Sequence, residues 1–109
     1  MPPGSNIKRC DLAVALVRAL RLLAENTKNE FSDVPEDAYY AEAVQIASAL
    51  GAVKGYNNAF SPNRPITRGE IEIIFGRLGY EDVLTDKTRP NDSLTRAETA
   101  VIIYRILTK

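Results

Sequence analysis

Ile66-Thr67-Arg68-Gly69-Glu70 is written again as Leu94-Thr95-Arg96-Ala97-Glu98 and, in worn form, as Ile7-Lys8-Arg9-Cys10-Asp11. A proline stands four residues before each leading aliphatic (Pro3, Pro62, Pro90), and an arginine stands eleven residues after it (Arg18, Arg77, Arg105). One phrase used three times in 109 residues marks a chain built from copies of one unit. In each clear copy the threonine and the glutamate three residues later form a capping box. The hydroxyl accepts from the third helical amide, and the carboxylate returns to the N-cap amide. Helices are therefore predicted to open at Thr67 and Thr95. Lys8 cannot cap in this way, so a helix there must start differently or fray.

Apolar spacing predicts four helices and an all-α fold, a short helical bundle of helix-loop-helix repeats. The first covers 8–24, with Leu12, Leu16, Ala19, Leu20 and Leu23 on one stripe, widened by Val14 and Val17. The second covers 38–50, on Tyr40, Ala43, Val44, Ala47 and Leu50, and Gly51 is its natural stop. The third covers 67–79, on Ile71, Ile74, Phe75 and Leu78; the fourth covers 95–107, on Ala97, Ala100, Val101, Tyr104 and Leu107. The joints 26–37, 53–65 and 81–93 are polar and rich in breakers. Ala52-Val53 and Ala59-Phe60 could at most form a brief extended pair.

Composition narrows the function classes. The length fits one domain, and 45% apolar residues suffice for one core. Fourteen basic residues balance 14 acidic ones, which speaks against a nucleic-acid footprint and gives no support for docking on anionic lipid. With no histidine and a single cysteine, Cys10, neither a disulfide within the chain nor a Cys/His zinc site can form. Cys10 fills the slot of Gly69 and Ala97 and reads as a small buried side chain. The run 12–23, interrupted by Arg18 and Arg21, is too short and too charged for membrane insertion, and no signal peptide is visible. Two of the helix-start carboxylates are explained by capping. No nucleophile with a base, phosphate loop or metal cluster is in sight, so neither catalytic residues, metal nor cofactor is expected and an enzyme is not predicted.

The segment 31–80 carries a longer pattern. It runs Phe31-Ser32-Asp33-Val34-Pro35, Tyr39-Tyr40 at a helix start, Gly51-Ala52-Val53, Gly55-Tyr56-Asn57-Asn58-Ala59-Phe60-Ser61-Pro62, then Ile66-Thr67-Arg68-Gly69-Glu70. This order strongly resembles the S-layer homology repeat of bacterial cell-surface proteins. The resemblance implies one complete repeat at 31–80 between two partial ones, 1–25 and 84–109, within a single domain spanning 1–109. The key arginines Arg9, Arg68 and Arg96 lie 59 and 28 residues apart by subtraction. The second interval has no room for the first helix of its repeat. In the family three repeats form a three-pronged unit whose clefts bind secondary cell-wall polysaccharide, often bearing a pyruvate ketal. Only one first-type helix, 38–50, remains here. Either helices one and four fill the gap, or the chain self-associates or takes a protein partner.

Each repeated arginine is expected in a first helical turn, where positive charge opposes the helix dipole at ~0.3–1 kcal/mol. Three such placements suggest a purpose beyond helix stability. An arginine beside free helix-start amides would trap an anion, and its planar fork suits a carboxylate. Arg68, Arg96 and Arg9 are thus the first glycan-binding candidates, in keeping with the role of the matching arginine in the family. Pairing with Asp33 or Asp92 to hold a loop is the plain alternative. Tyr39 stands where the family often has tryptophan and could stack on a sugar, or cover the core. Gly55, Tyr56 and Asn57 match the loop lining the family's cleft, or serve turn chemistry at positive φ. Asp33 reads equally as loop anchor or ligand contact. Arg18, Arg77 and Arg105 read as solvated faces or local pairs.

The resemblance implies an extracellular anchoring module on the bacterial cell surface or cell wall. The rival expectation is a structural or protein-interaction module of a surface protein that has lost glycan binding.

Overall fold

The computed structural model describes residues 5–84 and 88–108; Pro3 lies outside them. Four helices form: α1 (Arg9–Ala19), α2 (Ala41–Ala49), α3 (Arg68–Arg77) and α4 (Arg96–Leu107). Among the described residues pairing outside the helices is limited to isolated bridges, and the fold is all-α. Thr67 and Thr95 are N-caps with complete capping boxes, whereas Lys8 makes no side-chain cap.

The three phrases meet at the centre. The Ile7 amide donates to the Leu94 carbonyl, Leu94 to Ile66, and Ile66 to Ile7, each at 3.0 Å. This closed cycle is a pseudo-threefold hub, and its aliphatic side chains are buried at 4, 1 and 0% exposure. A second ring surrounds it. The first helical amides of Arg9, Arg68 and Arg96 donate to the carbonyls of Arg64, Asp92 and Ser5 at 2.9, 2.8 and 2.9 Å. Those carbonyls lie two residues after Pro62, Pro90 and Pro3, so each helix start rests on another copy's proline loop. Cys10 and Gly69 add bonds to the Pro62 and Pro90 carbonyls at 3.0 and 2.9 Å. The small residue in each phrase follows from this contact. A Cβ on Gly69 would already stand 3.1 Å from the Pro90 carbonyl oxygen.

Around the hub, α1 packs against both α2 and α4. Leu12, Leu16, Val44, Ala47, Ile71 and Phe75 fill the core, and Phe31 meets Phe60 at 5.4 Å between centroids. Fully burying one such large side chain stabilises by about 1.5–3 kcal/mol. The predicted stop at Gly51 is observed at φ +77°, with the Ala52 amide bonded to the Ala47 carbonyl at 2.9 Å. Gly79 does the same after α3, at φ +92°, with Tyr80 bonded to Phe75 at 2.8 Å.

The expected extent of the first helix is corrected. It ends at Ala19, five residues early, and Leu23 points out at 84% exposure. Arg21 takes the left-handed conformation (φ +52°), and the Leu22 amide closes on the Val17 carbonyl at 3.1 Å. This is the same helix-ending motif as at Gly51 and Gly79, carried by a non-glycine residue. The suggested extended pair is also replaced: the bridge joins Tyr56 and Ala59.

Candidate functional site

Each helix-start arginine turns toward the acid that closes another copy's phrase. Arg9 pairs with Glu70, Arg68 with Glu98, and Arg96 with Asp11 at 3.4 Å. The three pairs run the same way round as the second backbone ring, opposite in sense to the hub bonds, and close a cycle of charges. Both glutamates thus hold the N-cap amide of their own helix and the arginine of a neighbouring copy, and Glu70 also takes Arg64.

The first pair is the deepest. Arg9 is 7% exposed and sits 4.8 Å over the Phe60 ring. Its Nε donates to the Phe60 carbonyl at 2.9 Å and its Nη2 to the Lys54 carbonyl at 3.2 Å. Burial pulls the guanidinium below its ordinary pKa, and Glu70 pushes back. Burial would raise the Glu70 carboxyl. Hydrogen bonds from Arg64 and Thr67 and the charge of Arg9 outweigh it, so the net direction is down. Glu98 is held down likewise: burial raises it, and Arg68 and Thr95 overcome that.

These pairs correct the expected anion trap. The described first-turn amides at Arg9, Cys10, Arg68, Gly69, Glu70, Arg96 and Glu98 all donate within the protein. The arginines, moreover, find glutamates and Asp11 rather than Asp33 or Asp92. Asp33 is a loop anchor, accepting the Phe60 and Ser61 amides at 2.8 Å each.

The charge left for a ligand lies one step outward. Beside Arg9 and Glu70 opens a groove of about 190 Å³, lined also by Val53, Lys54, Ile73 and Arg77. Beside Arg68 and Glu98 opens another of about 190 Å³, lined by Val83, Leu84, Val101 and Arg105 among others. The two are copies: Ile73 and Arg77 become Val101 and Arg105 on adding 28 to each number. A third, wider groove of about 590 Å³ holds Arg96 and Arg18 with apolar residues of α1 and α4. Arg18, Arg77 and Arg105 are exposed, as expected of solvated faces, and they line these grooves. Their common spacing of eleven from each leading aliphatic was the signal.

The other candidates fall into two groups. Gly55 and Asn57 line a depression of about 450 Å³ that shares Val53 and Lys54 with the Arg9 groove, and Tyr56 stands beside it at 81% exposure. Asn57 has the expected positive φ (+51°); Gly55 does not. Glycine is needed at 55 because a Cβ would collide with the Ala59 carbonyl and the Phe31 ring. Tyr39 is no core cover: it is 72% exposed, and its hydroxyl donates to Asp11 at 2.6 Å, which raises its pKa. Asp11 thereby joins Tyr39 to Arg96. Cys10 is buried as expected, and burial raises its thiol pKa. Among the described residues no cluster could hold a metal, and no helix is long and apolar enough to cross a membrane.

Residues 30–71 match the sequence profile of the S-layer homology domain. The chain is 32% identical over 80 residues to the Surface-layer 125 kDa protein of Lysinibacillus sphaericus, covering 69% of the chain and 7% of that protein. It is 31% identical over 109 residues to the Middle cell wall protein of Brevibacillus brevis, covering 94% and 10%. It is 26% identical over 145 aligned positions to an Amylopullulanase of Thermoanaerobacterium thermosulfurigenes, covering 98% and 8%. The chain thus spans a tenth or less of each of these relatives.

Proposed function

Because the chain belongs to the S-layer homology family, we propose that it is a binding module that attaches the protein carrying it to the bacterial cell wall. The ligand is secondary cell-wall polysaccharide bearing an acidic or pyruvylated substituent. The location is the cell surface, and the module itself carries out no catalytic step.

The observation that carries this reading is the charge balance of the Arg9 groove. One carboxylate, Glu70, stands among Arg9, Lys54 and Arg77, with Arg64 on its outer side. Glu70 is already occupied by two arginines and its own helix cap, so the remaining positive charge faces solvent. A sugar carboxylate entering there meets Arg77 and Lys54, while Arg9 supports the wall from beneath. The Gly55, Tyr56 and Asn57 loop extends the same trench and would receive the neighbouring sugar. Arg68 and Arg105 repeat the arrangement in the second groove. At the third corner Arg96 is 37% exposed and is linked through Asp11 to the hydroxyl of the exposed Tyr39, which would supply a carboxylate receptor and a stacking surface.

The test is co-sedimentation with purified wall polysaccharide, intact or freed of its ketals by mild acid. Lys54→Ala, Arg77→Ala, Arg105→Ala and Tyr39→Ala leave the buried pairs untouched, and circular dichroism checks their fold. Loss of one charge-assisted bond worth about 1.5–3 kcal/mol weakens binding roughly tenfold to a hundredfold. Equal retention of all variants, or equal binding of the ketal-free polymer, overturns the assignment. One observation favours the rival reading, a structural or protein-interaction module. Arg9 and Arg68 are buried against glutamates. Absence of polysaccharide binding by the unmutated chain would leave that reading standing.

A further inference from the structure

The acids of the charge ring hold their arginines unequally. Arg9 uses its Nε on the Phe60 carbonyl, its Nη2 on the Lys54 carbonyl and its Nη1 on Glu70, at 7% exposure. Arg96 makes one side-chain bond among the described residues, from Nη1 to Asp11 Oδ2 at 3.4 Å, and is 37% exposed. Its Nε and Nη2 have no protein acceptor there, at the edge of the groove it lines with Arg18. Two adjacent N–H groups are what a carboxylate needs for a bidentate bond. The acids differ as well. Glu70 and Glu98 are each bound by the N-cap amide of their own helix, whereas Asp11 belongs to no capping box. Asp11 Oδ1 instead accepts the Tyr39 hydroxyl at 2.6 Å, and Oδ2 is left for Arg96. Parting Arg96 from Asp11 therefore leaves the acid with a partner. Parting Arg9 from Glu70 would strand a buried cation.

On the reading that the module takes an acidic sugar substituent, we propose that Asp11 is a built-in competitor for the ligand's carboxylate at Arg96, and that the length and charge of residue 11 set the affinity of this corner. Asp11 acts in two ways. It occupies one arm of the guanidinium, and its own charge repels an incoming anion. A site filled from within binds only through its open fraction, and its apparent affinity falls by that fraction. The molecule contains the comparison. Where the acid is a glutamate, at 70 and 98, the facing arginine is 7% exposed. A glutamate at 11 would close the third corner in the same manner. An asparagine, uncharged and still able to accept from Tyr39, would open it.

The test is a series at one position. Asp11→Asn, the unmutated chain and Asp11→Glu are titrated calorimetrically with purified wall polysaccharide. Asp11→Asn should tighten binding about twofold to fivefold, the range set by an exposed ion pair, and Asp11→Glu should weaken it. With Arg96→Gln added, the three should bind alike. Glu81→Gln removes the same charge from an exposed position outside these grooves and should change nothing. No difference, another order, or a gain from Asp11→Asn that survives Arg96→Gln overturns the proposal. A second titration separates it from wall attachment itself. Free pyruvate, a simple carboxylate, is added to each chain while NMR follows the Arg96 Nε–H resonance. The concentration at half-shift should rise from Asp11→Asn through the unmutated chain to Asp11→Glu, and equal concentrations overturn the competition. Polysaccharide that binds no variant refutes wall attachment, while the pyruvate series still decides the role of Asp11. Circular dichroism verifies that each variant is folded.

Discussion

Removing the three ring acids one at a time should produce a graded loss of stability. Glu70→Ala takes away the partner of Arg9, both contacts from Arg64 (3.0 and 2.7 Å) and the capping box of α3. Arg9 is 7% and Glu70 25% exposed, so an uncompensated charge is left in the interior. That costs about 3–5 kcal/mol; the carboxylate half of the capping box goes too, although Thr67 still accepts from the residue-70 amide. Glu98→Ala breaks the same kind of pair, but Glu98 is 40% exposed. Water there recovers part of the charge, and a loss of about 1–2 kcal/mol follows. Asp11→Ala releases Arg96, itself 37% exposed at 3.4 Å, and removes no capping box; its cost is ~1 kcal/mol or less. Domains of this size have about 5–15 kcal/mol in total, so Glu70→Ala could leave little folded protein. Glu70→Gln, which keeps an acceptor for the cap, should fall between Glu70→Ala and the unmutated chain. Urea unfolding followed by circular dichroism measures all four. Equal losses, or an order other than Glu70 above Glu98 above Asp11, would refute the view that the ring's strength follows its burial.

Acid should loosen the same ring. Glu70 and Glu98 have folded pKa values below their ordinary 4.5. Their stabilisation is therefore complete above that value and lost as pH falls through the lower folded values. The urea midpoint should decline below about pH 4.5, and less steeply in Glu70→Gln; a variant as acid-sensitive as the parent would exclude Glu70 as a source. Gly55→Ala should cost about 1–3 kcal/mol by overpacking against Ala59 and Phe31, and an unchanged urea midpoint would contradict that collision. Arg21→Gly should raise stability by up to ~1 kcal/mol, because it relieves a side chain held at positive φ; a lower melting temperature would show that Arg21 has a compensating contact.

What could be read in the sequence was what is local. Capping boxes, glycine stops and apolar stripes each lie within a few residues, and α2, α3 and α4 follow them closely. The end of α1 escaped because Leu20-Arg21-Leu22 lacks the glycine of Leu50-Gly51 and Leu78-Gly79, although the backbone motif is the same. The charge ring escaped for a different reason. Glu70 and Glu98 already had a local explanation as caps, and their second partners lie 61 and 30 residues away, across the hub.

Cyclic repetition makes such pairs inferable in principle. Where one phrase closes on itself in threefold fashion, residue i of each copy must meet residue j of another, so an arginine and an acid fixed in every copy are natural partners. The same logic shows where erosion is felt. Asp11 is one methylene shorter than the glutamates, yet the side chain that changes most lies in another copy. Arg96 is 37% exposed, against 7% for both Arg9 and Arg68. Wear in the first phrase therefore opens the corner governed by the third. There Tyr39 rests on Asp11, and there the widest groove begins, so the three clefts of one repeated unit offer different chemistry.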